Sequence, residues 1–150
     1  MDDDILKTIA NYTSPGDTIA VSACLLGHRC RYDGKGFDRH TARELERIYT
    51  VVPICPESVL GTPRPPCECM DGKVLTCNGD DVTSLFVEGA DSVVSRCREE
   101  DVVVAVLKSR SPSCGVGTIY DGSFSGTLAK GNGVAASRLM EAGIVCIPMD

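Results

Sequence analysis

Four short apolar runs limit what this chain can fold into: TIAVSAC at 18–24, VVPIC at 51–55, VVVAVL at 102–107 and IVCIP at 144–148. None alternates strictly between apolar and polar residues. Each therefore reads as a strand buried on both faces. The stretches between them carry helical spacing. DRHTARELERIYT, from Asp38, sets Ala42, Leu45 and Ile48 at intervals of three with charges between, and Asp38 or Thr41 is the expected cap. DVTSLFVEGADSVVSRCREE places Leu85, Phe86, Ala90, Val93, Val94 and Cys97 along one stripe. A last helix starts near Val134 and ends at Gly143, and a short amphipathic helix over 2–11 precedes the first strand. VLTC at 74–77 reads as a minor strand, PESVLGTPRPPCECMDGK as a loop or broken turn, and TIYDGSFSG as a hairpin around its Asp-Gly. Buried strands separated by helices form parallel sheets with crossover helices. The expectation is an α/β, Rossmann-like sandwich with a mainly parallel sheet of four or five strands. It should be a single domain over 1–150, with 1–17 as N-terminal helix and lead-in.

The 150 residues carry a net charge of −6, which would repel a DNA or RNA backbone, so no nucleic-acid polymer is expected as a partner. The charge does not exclude a free base or nucleotide. No run approaches membrane-spanning length, and MDDDILKTIANYT does not read as a signal peptide. A cytoplasmic protein with no membrane partner is expected. Its nine cysteines are then poor candidates for a disulfide framework, being odd in number and in a reducing compartment.

Placing those cysteines on the strand map separates them. Cys24, Cys55 and Cys114 each follow the carboxyl end of an expected parallel strand. Such ends share one rim, where ligands bind, and neighbouring strands lie about 4.8 Å apart. Three thiols there suit a soft metal or an iron–sulfur cluster. Cys97 and Cys146 read as core, on a helix stripe and inside a strand. Cys30, Cys67, Cys69 and Cys77 lie in loops or beside the minor strand, and their role is open. The CEC at 67–69 has no partner pair of the kind that structural zinc uses.

Polar residues flank the three rim cysteines. Glu57 lies two past Cys55 and is a candidate general base, or an ordinary solvated acid. Ser111, in SPSC, is a candidate catalytic hydroxyl, or a turn residue. Ser22, Ser113 and Arg64, the last set between prolines in GTPRPP, are candidates for substrate binding, while Ser113 equally reads as a turn residue and Arg64 as an ordinary surface charge.

VSACLLGHRCRYDG (21–34), CPESVLGTPRPP (55–66), LKSRSPSCGVGTIYDGSFSG (107–126) and GNGVAASRLMEAGI (131–144) together resemble, in that order, the DUF523 family, some of whose members are thiouracil desulfidases. The resemblance runs from about Ile19 to Pro148. It implies an oxygen-sensitive [4Fe–4S] cluster held by three cysteines, falling here on Cys24, Cys55 and Cys114, with one open iron that binds the sulfur of a thio-nucleobase or its nucleotide. It also implies an active-site acid at Glu57, an active-site serine at Ser111, and non-redox release of sulfide from a 2- or 4-thiouracil-like substrate. Cys30 and Cys67 depart from the pattern, standing where an aliphatic and a small residue are expected. The competing reading is a non-catalytic [4Fe–4S] protein, either a sulfide carrier or a redox sensor, which would have no need of Glu57.

Overall fold

The computed structural model describes residues 2–37 and 39–150. Four strands, β1 (Thr18–Ser22), β2 (Thr50–Ile54), β5 (Val104–Lys108) and β8 (Val145–Met149), form an all-parallel sheet in the order β2-β1-β5-β8. In register, Ser22 lies beside Ile54, Ile19 beside Val104, and Val104 beside Val145. Both faces are covered. Ile19, Val21, Val104 and Val106 turn to one side, where they pack with Ile9 of α1 (Asp2–Ala10) and with Ala42 and Leu45 of α2 (His40–Ile48). Ala20, Ala105 and Leu107 turn to the other, against Val93, Val94 and Cys97 of α3 (Thr83–Glu99) and Ala136 and Leu139 of α4 (Val134–Glu141). Both side-chain rows of each central strand are therefore apolar, which removes the alternation from the sequence. Each fully buried Ile, Val or Leu contributes roughly 1.5–3 kcal/mol.

The chain leaves β1 for β2 through α2 on one face and reaches β5, on β1's other side, through α3 on the opposite face. This reversal opens a crevice at the carboxyl ends of β1, β2 and β5. Two small antiparallel ribbons border it: β3 (Cys67–Met70) with β4 (Lys73–Thr76), and β6 (Thr118–Tyr120) with β7 (Leu128–Lys130).

Several expectations need correction. The Pro-rich segment holds the expected turn, a 3₁₀ turn at Ser58–Leu60, but it is not irregular throughout, since Cys67–Met70 is a strand. The hairpin at Asp121-Gly122 is not tight: the chain loops through Asp121–Thr127 before β7 returns. Leu85 is 37% exposed and leaves the α3 stripe to Phe86 and its neighbours. Arg39 precedes α2 as its cap without a side-chain hydrogen bond, Thr41 lies buried in the first turn, and Asp38 falls outside the described residues. Gly143, at φ 85°, ends the α4 segment as expected.

Candidate active site at the sheet's carboxyl edge

An open cleft of about 440 Å³ occupies that crevice, and Cys24, Cys55 and Cys114 all line it. Each arrives on a different device. Cys24 lies in a 3₁₀ turn, Ala23–Leu26, directly after β1. Cys55 is the residue after β2, and Pro56 and Glu57 carry the chain on into the second turn. Cys114 lies on the loop after β5, buried, with its amide donating to Ser111 Oγ at 2.9 Å.

A fourth thiol joins them. Cys30 also lines the cleft, and the Cys55 thiol lies 3.8 Å from its carbonyl. The contact with Cys24 is the largest of the influences that push the Cys30 thiol up from 9.0 to about 11. The hydrogen bond with Cys30, followed by burial, pushes Cys55 up strongly. Burial pushes Cys114 up to about 12, although the nearby Ser22 and Ser113 hydroxyls pull it down. The upward shifts of Cys30, Cys55 and Cys114 favour the protonated thiol in the metal-free protein, and a bound metal would displace those protons. Among the described residues, no three His, Cys, Asp or Glu side chains form a group that could hold a single metal ion. The donors border a cleft instead. All-sulfur donors spread in this way suit a polynuclear centre, in which different thiolates hold different metal atoms.

Glu57 faces the same cleft, with both oxygens engaged. Ser113 donates its hydroxyl to Oε2 at 2.6 Å, and Arg64 Nη2 lies 3.3 Å from Oε1. Arg64 is the surprise of this group. Its side chain is only 6% exposed, and it also donates to the carbonyls of Gly61 at 2.8 Å and Cys30 at 2.9 Å. Its Nε is buried with no hydrogen-bond partner among the described residues. The prolines around it thus hold a buried clamp rather than a surface charge. Ser111 has different partners: its Oγ accepts the amides of Ser113 and Cys114 and lies 3.0 Å from Ser113 Oγ. With its lone pairs used in this way, its own proton points to Ser113, whose proton goes to Glu57. Ser22 Oγ accepts the Lys108 amide at 2.9 Å, tying β1 to β5 beside Cys114.

The flank beyond Cys24 is basic. Arg31, Arg39 and Lys108 all stack on the Phe37 ring, at 4.4, 4.7 and 5.1 Å from its centroid. Burial, with Arg110 nearby, lowers the Lys108 pKa. Arg31 and Lys108 both line the cleft, a local excess of positive charge in a chain of net charge −6.

The family profile described as 2-thiouracil desulfurase matches residues 19–150. The chain belongs to the 2-thiouracil desulfurase family. A solved structure of a [4Fe-4S]-dependent thiouracil desulfidase, TudS, superposes with a TM-score of 0.82 at 38% identity, covering 89% of this chain and 91% of that one. The Bacillus subtilis (strain 168) protein YbbK is 40% identical over 137 residues, which is 83% of this chain and 91% of YbbK. The parallel sheet of this desulfurase-family chain matches the α/β sandwich expected from its apolar runs.

Every rim residue singled out in the sequence, Ser22, Cys24, Cys55, Glu57, Arg64, Ser111, Ser113 and Cys114, lines this one cleft. Cys97 lies in the core, and Cys146 packs partly buried against it. The contacts of Cys30 and the basic flank escaped sequence reasoning. The signals for Cys30 were its departure from the family pattern and its position six residues after Cys24 on a Gly-bearing loop. Arg31, Phe37 and Lys108 come from segments that show no shared pattern. Cys67 also lines the cleft, whereas Cys69 turns to the Pro112 carbonyl at 3.5 Å and Cys77 is exposed.

Proposed function

We propose that this chain is an iron–sulfur-dependent desulfidase that removes sulfur from a thiolated pyrimidine without net redox change. In this reading Cys24, Cys55 and Cys114 hold a [4Fe–4S] cluster. The observation that carries it is the Glu57 carboxylate, fixed from two sides and turned into the cleft that the three thiols line. When bound, the cluster would supply a soft Lewis acid toward the sulfur of a thiocarbonyl.

The chain's own residues do the rest. Glu57 takes a proton from the water that replaces sulfur, and the overall balance is C=S plus water giving C=O plus hydrogen sulfide. Arg64 and Ser113 use one acceptor site on each carboxylate oxygen, which leaves lone pairs for that water. Ser111 acts through Ser113 and the backbone, as a positioning residue. The unanswered Arg64 Nε supports a ligand acceptor nearby, because an unmet buried donor costs about 1–3 kcal/mol. Arg31 and Lys108 favour a substrate with an anionic tail, so a thiouracil nucleotide fits the cleft better than the free base. A sulfide carrier or redox sensor would need no clamped carboxylate.

Anaerobically reconstituted protein should release sulfide from 2- or 4-thiouracil or the matching 5′-nucleotide. Glu57→Gln should keep its iron and lose about 10²-fold or more in turnover. Full turnover in that variant would remove the assigned base. An intact cluster with no sulfide released from any of these substrates would leave the carrier reading.

A further inference from the structure

We propose that Cys30 is a fourth, exchangeable thiolate ligand of the cluster centre, seated where substrate sulfur later binds; this rests on the desulfidase reading above. Cys30 lines the same cleft as the three proposed ligands, Cys24, Cys55 and Cys114, and its thiol interacts with those of Cys24 and Cys55. Packing does not account for it, since Cys30 belongs to neither core cluster and is only half-buried.

Its position is built in from several directions. Its carbonyl accepts Arg64 Nη2 at 2.9 Å, the guanidinium that also clamps Glu57. The Cys55 thiol lies 3.8 Å from that carbonyl. The loop carrying it is closed by Arg31 N–H to the Lys35 carbonyl at 3.1 Å and pinned by Arg31 on the Phe37 ring. It also folds back so closely that a Cβ on Gly36 would meet the His28 carbonyl at 2.3 Å.

Four thiolates are the usual complement of a [4Fe–4S] centre, and Cys24, Cys30, Cys55 and Cys114 make four. A permanent fourth thiolate would shut out substrate, so the bond to Cys30 must exchange. One iron–sulfur bond to Cys30 breaks and one to the substrate sulfur forms. The thiouracil N–H proton passes to the departing Cys30 sulfur, and no electron is transferred. The loop thus supplies a resident guard that keeps water and oxygen off the reactive metal until a competing sulfur arrives.

The test is a Mössbauer spectrum of anaerobically reconstituted protein enriched in the Mössbauer isotope of iron, with and without 2-thiouracil. Wild type without substrate is expected to show thiolate-ligated iron throughout. Cys30→Val should show about a quarter of the iron in a distinct component with a higher isomer shift, one iron of the four. Adding 2-thiouracil should leave the wild-type iron sulfur-ligated throughout and should return the distinct component of Cys30→Val to the sulfur-ligated position. A distinct quarter already present in substrate-free wild type, and unchanged by Cys30→Val, would refute the proposal. Absence of any iron–sulfur signal would refute the desulfidase reading beneath it. Should Cys30→Val fail to fold, Cys30→Ser and the two wild-type spectra still decide the matter.

Discussion

The hydroxyls of Ser111 and Ser113 lie 3.0 Å apart, yet their substitutions should fail in different ways. Ser113 is 2% exposed and gives its only proton to Glu57 at 2.6 Å, ahead of the Cys114 sulfur at 3.6 Å. Ser113→Ala removes one of the two groups that orient the carboxylate. The side chain of Glu57 is 16% exposed, so water answers part of the loss and the stability cost stays near the lower end of about 1.5–3 kcal/mol. Turnover per iron should fall about tenfold, the equivalent of roughly 1.4 kcal/mol in the barrier. Ser111→Ala instead strands the amides of Ser113 and Cys114, whose acceptor is Ser111 Oγ. That costs about 1 kcal/mol, as for a lost cap, and loosens the loop holding Cys114. Iron content and melting temperature should drop while turnover per iron is largely kept. Equal losses of turnover per iron in both variants would contradict this division.

At the scale of elements, the site depends on two helices that approach its loops more closely than a side chain allows. A Cβ on Gly89 of α3 would lie 1.8 Å from the Pro56 carbonyl, between Cys55 and Glu57. A Cβ on Gly133, at the start of α4, would lie 2.5 Å from the Ser113 carbonyl. Neither position needs a positive φ; what matters is the missing atom. Gly89→Ala should push α3 away from the Cys55–Glu57 segment, at a cost of about 3 kcal/mol. Denaturant midpoint and iron retention should fall together, and a midpoint within error of wild type would show that the loop yields freely. The same facts explain what could be read from the sequence. The sheet was legible because Ile19, Val21, Val104 and Val106 belong to continuous apolar runs. The rim of Cys24, Cys55 and Cys114 followed from the strand ends. The burial of Arg64, the contact of Cys30 and the glycine approaches depend on how separate segments meet in space. Residues 30, 57 and 64 share a clamp that no local spacing encodes.

For the whole molecule, the abundance of buried thiols sets a response to alkali. Burial raises Cys97 from 9.0 to about 11, and raises Cys114 and Cys146 to about 12. Cys67 and Cys69 move up to about 11 for the same first cause. An acid whose pKa is higher in the folded state keeps its proton there after the unfolded chain has lost it. The stabilisation is complete below the ordinary thiol pKa of 9.0 and declines as pH climbs from there through the folded values. Lys108 works the other way. Its pKa is lowered from 10.5 mainly by burial, so rising pH relieves its burial as a cation. One lysine opposes several thiols, so the thiols win. The urea midpoint of the cluster-free, reduced protein should therefore hold steady up to about pH 8 and fall between about pH 9 and 11. Cys97 is fully buried and outside the cleft, so Cys97→Ala isolates one share of the effect. It should lower stability at neutral pH through the cavity it leaves, and flatten the alkaline decline by up to about 1.4 kcal/mol per pH unit. A midpoint that rises through the same range would mean that the thiols already ionise in the folded chain and that Lys108 dominates. The burial of Cys97, Cys114 and Cys146 would then not govern how this protein meets alkali.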